Sequence, residues 1–440
     1  MTASLTFIAT CDLVALTRGR SLRTNDYSRR LESGVGWVPA DLALTTFGDI
    51  ADPNPFGSLG DLRLIPVDDA RVTLPGDAAR PATDVVLARL TQPDGTPWAC
   101  DPRGTLVDAL ARLDRHGLRL VAAFEQEFGL SGGALERAAA SDASPAPFSL
   151  EAHRLVEPFG TELVETLAEQ GFDPETWLPE YGAGQYELTI GPADALTAAD
   201  RAILVRALVR DRAVTHGLRA TFAPKVSPDA VGNGVHVHMS LWDGDRPVTL
   251  DASGALTSPA GAFAAGIVAH APALVGWTAP SVISALRFGP HHWSSAASFV
   301  GRQNREAMLR ICPTPTVGGG DPLLAANLEY RAADATANPW LALAAIVRAG
   351  VDGLDRGLPA PIVVEGELET VDAAARERAG IHDMPADTEA ALTAIEADEA
   401  ARCWFAPDLL ATHLGIRRTE LAILADASPE ERCRRYAAVL

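Results

Sequence analysis

The chain is long, moderately apolar and strongly acidic, and these properties exclude several classes of protein. It has 440 residues, of which 47% are hydrophobic, so it can form a large core and two domains. Its formal net charge of −20 at pH 7 repels nucleic acid and anionic membranes, so neither is expected as a partner. Apolar stretches such as 339–347 are too short to span a bilayer.

The cysteines and the N-terminus indicate a reducing compartment. The five cysteines are scattered, odd in number and without CxxC spacing, which argues against a zinc site or a disulfide framework. Residues 1–4 contain no basic residue ahead of the short apolar run that follows, so no secretory signal is expected. We therefore predict a cytoplasmic protein with reduced thiols.

The first hundred residues are predicted to be rich in strands. Residues 6–16 and 62–67 have the apolar and β-branched composition of strands, and prolines and glycine mark 52–57 as a loop. Residues 96–104 form a predicted boundary, because the first clear helical pattern follows them.

Helix and strand signals alternate over the rest of the chain, which indicates an α+β fold. The first helix is predicted to begin at Thr105, with Asp108 as its capping partner, and to end at Gly117. A strand over 118–128 is expected to follow. Asn338 and Pro339 are typical of a helix start, and the following apolar residues predict a buried helix.

Two pairs of polar residues alternate along predicted strands. Glu125 and Glu127 are two residues apart and therefore share a strand face, as do His236 and His238. The glutamates are either an exposed strand end or the ligands of a cation that relieves their repulsion. The histidines are either packed and hydrogen-bonded or ligating, and the glycines before them allow a ligand to approach the backbone.

A third acidic pair and a group of cations complete the set of candidates. Glu180 and Glu187 would lie on opposite faces of a straight strand, but glycines between them allow a bend that could bring them together. Glu329 and Arg331 share a face, for which a structural ion pair is the simple interpretation. Local clustering of arginines would let an acidic protein bind anionic substrates; they are Arg287, Arg302, Arg305, Arg310 and Arg331.

The order of these segments resembles the glutamine synthetase family over most of the chain. The N-terminal third is the looser part of the resemblance. The matching motifs are ExEF at 125–128, ExGxGQxE at 180–187, PK at 224–225 with GxGxHVHxSLW at 232–242, NRxAxxR at 304–310, and ExR with DxxANPWLA at 329–342.

The resemblance implies a two-domain architecture and a ring-shaped assembly. A small β-grasp domain would cover residues 1–103, and a catalytic domain with a curved antiparallel sheet and helices would cover 104–440. Members of the family commonly form hexamers or dodecamers in which each active site is shared between neighbouring subunits, so the same self-association is expected here.

The resemblance also implies ATP and about two to three Mg²⁺ or Mn²⁺ ions per site, which suit hard oxygen ligands. All six family metal ligands are present at matching positions. Glu127, Glu180 and Glu187 match the ligands of one ion, and Glu125, His236 and Glu329 match those of the ion that bridges the ATP phosphates.

The remaining matches concern substrates. Arg287 and Arg331 correspond to arginines that hold glutamate and the transferred phosphoryl group, with Gly232 at a further substrate position. Asp49, or as a second choice Asp52, would supply the aspartate of the ammonium site. The nucleotide and phosphate positions are matched by His238, Ser240, Trp242, Arg305 and Arg310.

The sequence departs from the ammonia-using enzymes at the amine position. Trp293 stands where their mobile flap carries a glutamate, and no acidic residue occurs between Arg287 and Glu306. Losing that charge weakens ammonium binding, and an indole adds apolar surface or a cation–π face, although it could also merely pack in a rearranged loop. Val231 and Asn327 replace an asparagine that contacts glutamate and an arginine that contacts ATP.

These features predict an ATP-dependent glutamate–amine ligase that forms a γ-glutamyl phosphate and transfers it to a small organic amine or polyamine. Two alternatives stay open. One is an ordinary glutamine synthetase that uses ammonia, and the other is a catalytically inactive relative that binds ligands or acts as a scaffold. His382 replaces the tyrosine of the family's adenylylation loop, so regulation by adenylylation is not expected.

Overall fold

A computed structural model describes residues 3–140, 145–289, 292–295 and 297–440. Its N-terminal part is a five-stranded sheet in the order β2-β1-β5-β4-β3, in which β1 and β5 run parallel. The strands are β1 (Leu5–Cys11), β2 (Thr17–Arg23), β3 (Val35–Trp37), β4 (Leu62–Leu74) and β5 (Thr83–Thr91).

The single strand predicted over 6–16 is wrong, because the chain turns at Asp12. The Asp12 carboxylate accepts hydrogen bonds from the backbone N–H of Val14 at 3.0 Å and of Leu16 at 2.8 Å. An aspartate that binds the backbone two residues ahead favours a turn over a continuing strand. Strand β2 therefore returns antiparallel to β1.

The second sheet has eleven strands among the described residues, and its main path runs β16-β13-β14-β15-β11-β6-β8-β7. Strands β9 and β10 pair with β6, and β12 pairs with β11. The bounds are β6 (Arg119–Gly132), β7 (Pro174–Pro179), β8 (Gln185–Ile190), β9 (Ala193–Asp194), β10 (Leu218–Thr221), β11 (Val235–Asp243), β12 (Arg246–Pro247), β13 (Ala297–Arg302), β14 (Ala307–Ile311), β15 (Leu328–Tyr330) and β16 (Val363–Val364).

Helices pack around the sheets, and the mixture confirms the predicted α+β class. Helices α6, α7 and α8 contribute many of the fully buried side chains. The helices are α1 (Pro102–Asp114), α2 (Gly133–Ala140), α3 (Leu150–Leu155), α4 (Glu157–Glu169), α5 (Ala195–Thr215), α6 (Ser258–Ala269), α7 (Ala271–Thr278), α8 (Pro339–Asp355), α9 (Ala373–Arg378), α10 (Thr388–Ala397), α11 (Pro407–Ile423) and α12 (Pro429–Val439).

Helix α1 begins three residues earlier than predicted. Asp101 is its N-cap, and the Asp101 side chain accepts a hydrogen bond from Gly104 N at 3.1 Å. Pro102 occupies the first turn, where its missing N–H has no cost. The proposed pair of Thr105 and Asp108 is therefore wrong, since both residues lie inside the helix.

Among the described residues, no single helix is long and apolar enough to cross a membrane. Helices α6 and α7 pass that test only as a pair, and they are bent by 77° relative to each other.

Helix α8 is buried, as predicted, and its cap also attaches the N-terminal domain. Asn338 is 2% exposed, and its Oδ1 accepts from Trp340 N at 2.9 Å and Leu341 N at 3.2 Å. Its Nδ2 donates to Cys11 O at 2.9 Å and Asp12 O at 3.1 Å, where β1 ends. One side chain thus closes the start of the central helix and holds the end of a strand in the other sheet.

Replacing Asn338 by alanine should destabilise the fold more than loss of an ordinary cap. The Asn338→Ala variant loses the cap and leaves two buried carbonyl groups unpaired, so we expect about 2–4 kcal/mol less free energy of unfolding. Ser428→Ala, which removes only the cap of α12, should cost about 1 kcal/mol. Equal losses for the two variants in urea denaturation would contradict the linking role of Asn338.

Candidate active site

The register of five adjacent strands places acidic, histidine and arginine side chains on one face of the larger sheet. Direct cross-strand neighbours point to the same face of a sheet. Their pairing forms a row across the sheet, in which Glu187 on β8 is opposite Glu127 on β6, Glu125 on β6 is opposite His236 on β11, His238 on β11 is opposite Glu329 on β15, and Glu329 is opposite Arg310 on β14. We call these residues, together with Glu180, the carboxylate row.

Both histidines lie among the carboxylates. His238 Nε2 is 2.9 Å from Glu125 Oε2 and 4.0 Å from Glu329 Oε1. His236 is 6% exposed, and its Nδ1 is 3.5 Å from Glu125 Oε2 and 3.6 Å from Glu329 Oε1. The sequence expectation put His238 on the nucleotide side, whereas here it is the histidine nearer to Glu125.

The donor set of the carboxylate row fits a divalent cation. Glu125, Glu187 and His236 present ligand atoms within 4.8 Å of one another, and so do Glu125, His238 and Glu329. His236 Nδ1 is buried and has no hydrogen-bond partner, although an unpaired buried nitrogen is costly. A metal ion ligated by His236 and its carboxylate neighbours would satisfy that atom.

The repulsion within the row appears in the pKa values of its glutamates. Burial and the nearby charge of Glu125 raise the pKa of Glu187 to about 11, and burial and Glu127 raise the pKa of Glu180 to about 7. Burial would also raise the pKa of Glu329, but Arg331 and the two histidines together lower that pKa to about 2. The end near the arginines is therefore charge-compensated, while Glu180 and Glu187 form no ion pair with the residues that the structure describes.

A tight turn brings Glu180 to the row although seven residues separate it from Glu187. Glu180 N donates to Gln185 O at 2.8 Å across the turn between β7 and β8. Gly184 has a φ of +70°, and a Cβ there would lie 2.8 Å from Leu130 O, so no other residue fits without strain. Gln185, which the sequence did not single out, donates from Nε2 to Glu127 Oε2 at 3.3 Å and to Gly232 O at 2.8 Å.

Arg331 connects the row to the loops beside it. Its Nη1 forms an ion pair with Glu329, its Nε donates to Arg305 O at 2.9 Å, and its Nη2 donates to Trp293 O at 2.8 Å. Arg310 Nη1 also binds Glu329, at 2.7 Å. The structural ion pair considered for Glu329 and Arg331 is present. The Arg305 side chain is exposed and electrostatically close to Glu180.

Arg287 is buried behind the glycine-rich approach to β11. It is 3% exposed, and its Nη1 donates to Ala333 O at 3.0 Å and lies 3.9 Å from Asp334 Oδ2. A Cβ at Gly232 would lie 2.8 Å from Arg287 Cγ, so the glycine lets the backbone pass directly over the arginine. Burial lowers the pKa of Arg287, and Asp334 and Glu127 oppose that shift.

Three exposed aromatic rings extend along the edge of the site. Trp293 is 57% exposed, and its ring centroid lies 6.5 Å from that of Tyr181, which in turn lies 6.5 Å from that of Phe148. We call these residues the aromatic row. Trp293 has a φ of +51°, held by its N–H donating to Glu306 at 2.8 Å and by its carbonyl accepting from Arg331. Sequence reasoning found Trp293 but missed Tyr181 and Phe148.

The residues expected on the nucleotide side lie further along β11. Trp242 Nε1 donates to Ser240 Oγ at 2.9 Å, and the Arg119 guanidinium covers the Trp242 ring at 4.7 Å. Asn327 Oδ1 lies 2.9 Å from His238 Nδ1, so Asn327 orients that histidine.

Asp49, the candidate for the ammonium site, makes no described contact with the carboxylate row of its own chain. It is exposed, and its backbone N–H donates to Thr45 Oγ1 at 3.1 Å in a turn of the N-terminal domain. None of the polar contacts described for Asp49 joins it to the carboxylate row. Pro290 and His291, noted in sequence ahead of Trp293, lie outside the described residues.

Comparison with known proteins agrees with this geometry. Residues 2–98 match the family model for the glutamine synthetase N-terminal domain, and residues 99–436 match that for the glutamine synthetase catalytic domain. The chain is 36% identical over 426 residues to the gamma-glutamylpolyamine synthetase GlnA3 of Streptomyces coelicolor, covering 94% of this chain and 88% of that protein. It is 33% identical over 349 residues to the glutamine synthetase of Halobacterium salinarum, covering 77% and 74%.

Solved structures show the same likeness. A glutamine synthase homolog superposes with a TM-score of 0.90 at 42% identity, covering 100% of this chain and 99% of that one. GmaS in complex with ADP superposes with a TM-score of 0.82 at 26% identity, covering 97% and 95%. Matches that span both sheets and the whole carboxylate row leave one conclusion: the chain belongs to the glutamine synthetase family of carbon–nitrogen ligases.

Proposed function

We propose that this protein joins the γ-carboxylate of glutamate to a small organic amine or polyamine, at the expense of ATP and through a γ-glutamyl phosphate. The observation that carries the proposal is a full carboxylate row beside an amine position occupied by an exposed indole. The residues proposed to handle phosphate are thus all present, while position 293 carries no acidic group to favour ammonium. The similarity to a gamma-glutamylpolyamine synthetase supports the same reading.

The arginines supply the positioning that phosphoryl transfer requires. Arg287 and Arg331 are proposed to hold glutamate and the transferred phosphoryl group, and Arg305 and Arg310 the phosphates of ATP. Guanidinium groups suit this work because they bind carboxylate and phosphate in a bidentate manner. Mg²⁺ or Mn²⁺ held by the six ligands of the carboxylate row would supply charge neutralisation for the phosphates.

The amine side is proposed to lie under Trp293. The Trp293 carbonyl binds Arg331, so the indole stands next to the place where a phosphoryl group would be held. An indole attracts an organic cation through its face and contacts its carbon atoms, whereas ammonium has no carbon atoms to bury. Val231 is 38% exposed and lies beside Gly182 in the turn between β7 and β8, where it adds further apolar surface.

We further propose that the domain boundary lies near residue 103, that the protein is cytoplasmic, and that it assembles into a hexameric or dodecameric ring. Asp49 fits the ring, because it is exposed in the N-terminal domain and none of the polar contacts described for it reaches the carboxylate row of its own chain. In a ring it would reach the site of a neighbouring subunit.

Metal binding should strengthen as the pH rises. Glu180 and Glu187 have pKa values raised to about 7 and about 11, so the metal-free fold keeps both protons at pH 6, and its stability falls as the pH rises through these values. Mn²⁺ must displace those protons. We expect Mn²⁺ to raise the melting temperature more at pH 8 than at pH 6, with about 2.7 kcal/mol of stabilisation at 100 times its Kd.

Glu187→Gln tests the origin of this effect. The variant cannot ionise, so its folding no longer requires the uptake of a proton at position 187, and it should melt higher than the parent without metal and gain less from Mn²⁺. Glu151→Gln, at an exposed position of α3, is the control and should behave as the parent protein does. A pH-independent Mn²⁺ effect would contradict the displacement of protons.

Phosphate release from ATP, measured with glutamate, Mg²⁺ or Mn²⁺ and a panel of amines, tests the activity. The panel runs from ammonium through ethanolamine and monoamines to polyamines. We expect release that depends on an organic amine, with a γ-glutamyl product identified by mass. Fastest release with ammonium would instead indicate an ordinary glutamine synthetase. Nucleotide binding without release for any amine would indicate a non-catalytic relative.

Restoring an acid at position 293 should shift the preference towards ammonium. In Trp293→Glu, we expect the ratio of kcat/KM for ammonium to kcat/KM for the preferred organic amine to rise about tenfold, equivalent to about 1.4 kcal/mol. Trp293→Gln removes the indole without adding a charge and is the matched control. Equal ratios in the two variants would show that charge at this position does not set the preference.

A further inference from the structure

A cavity of about 360 Å³ borders the carboxylate row at the turn between β7 and β8. This volume lies within the range of small-molecule pockets. Its walls come from the end of β6, helix α2, residues 145–147, the region of α3 and the turn itself. Glu180 belongs both to this wall and to the carboxylate row, so the cavity adjoins the site.

The walls of the cavity are mainly apolar. Such walls favour a carbon chain over a small hydrated ion, because each buried methylene contributes about 0.8 kcal/mol. The apolar lining residues include Leu130, Leu135, Ala139, Pro145, Pro147 and Leu155.

The aromatic row joins the amine position to this cavity. Tyr181 lines the cavity, and its ring is a neighbour of the Trp293 ring on one side and of the Phe148 ring on the other. Tyr181 is 60% exposed, so its surface is available to a ligand. An amine substrate whose reacting nitrogen lies at Trp293 can therefore extend along the Tyr181 ring into the cavity.

A second carboxylate faces the same cavity from another wall. Glu136 on α2 lines the cavity and is exposed. No hydrogen bond or ion pair to it is formed by the part of the chain that the structure describes. An apolar interior with Glu180 at the wall shared with the carboxylate row and Glu136 at another wall matches a ligand that is apolar along its length and carries a second cationic group.

We propose that this cavity binds the carbon chain of a diamine or polyamine and that Glu136 binds its second ammonium group. The inference rests on the proposed function and specifies its substrate class. The reacting nitrogen, having lost a proton, attacks the γ-carbonyl carbon of γ-glutamyl phosphate. The C–N bond forms, the carbon–oxygen bond to phosphate breaks, and phosphate leaves while the amide nitrogen loses a second proton. The far ammonium stays protonated at Glu136.

The test compares butane-1,4-diamine with butan-1-amine, which has the same carbon chain and no second charge. Phosphate release is measured for the parent protein and for Glu136→Gln. Because Glu136 is exposed, we expect its loss to raise the KM for the diamine about threefold, with kcat and all constants for the monoamine unchanged. Glu151→Gln, at an exposed position of α3 that does not line the cavity, is the charge-matched control and should change the constants for neither amine.

A second variant tests the cavity itself. Ala139→Leu fills part of it from α2, where leucine is a good helix former, so folding should be retained. We expect the KM for both four-carbon amines to rise about tenfold by loss of buried methylenes, while methylamine is unaffected. Ala139→Ser, of similar size to the parent residue, is its control.

The outcomes separate this inference from the proposed function. If amines support turnover but Glu136→Gln leaves the diamine KM unchanged, or Ala139→Leu affects methylamine equally, the cavity proposal is overturned. If no amine supports turnover, the proposed function fails. The cavity site is then tested by calorimetry, which measures the binding of butane-1,4-diamine to the parent protein and to Glu136→Gln. Weaker binding to Glu136→Gln than to the parent would support the cavity site, and equal or undetectable binding would overturn it.

Discussion

The mutual repulsion of glutamates on one face of the central sheet is the constraint on which the rest of the structure depends. Strand pairing alone brings Glu125, Glu127, Glu187 and Glu329 together, because each is fixed opposite a partner of the row. Such a group is unfavourable unless cations lie between its members. Arginines compensate the charge at one end of the row, and the other end is available for divalent ions. The same glutamates that repel one another are therefore the candidate metal ligands.

The arginines also connect charge compensation with loop position. Arg331 neutralises Glu329 while two of its other nitrogens hold the carbonyls of Arg305 and Trp293. Displacing Glu329 would therefore move the loops that carry Arg305 and Trp293. Burial makes this connection stiff, since Arg331 and Glu329 are 3% and 1% exposed.

The sequence predicted those parts of the site that depend on strand periodicity. Spacings of two residues correctly placed Glu125 with Glu127 and His236 with His238, because side chains alternate along any strand. Glu180 and Glu187 required a bend, and the glycines between them indicated where it could occur. The cap at Asp101 was missed because Pro102 was not recognised as part of the helix, although proline is well suited to the first turn.

Contacts between distant segments could not be predicted in this way. Phe148, Tyr181 and Trp293 meet across more than a hundred residues of sequence, and no local pattern connects them. The partnership of Asn327 with His238 and the cavity beside Tyr181 also depend on tertiary packing. The family resemblance implied the ligand set, but it carried no information on these neighbours because the aromatic residues lie outside the motifs or at positions that the motifs leave unspecified.

At residue 293 hydrogen bonds hold the main chain in place, whereas the side chain is exposed to solvent. Its backbone N–H and carbonyl make the contacts to Glu306 and Arg331, and its indole projects outward, half exposed. Arg331, which we propose holds the phosphoryl group, therefore contacts the main chain at this position, whereas in the proposed function an incoming amine would meet the exposed side chain. A substitution at residue 293 can consequently change the surface offered to an amine while the main-chain contacts to Glu306 and Arg331 stay in place, so in the proposed function the choice of amine and the handling of phosphate would vary independently.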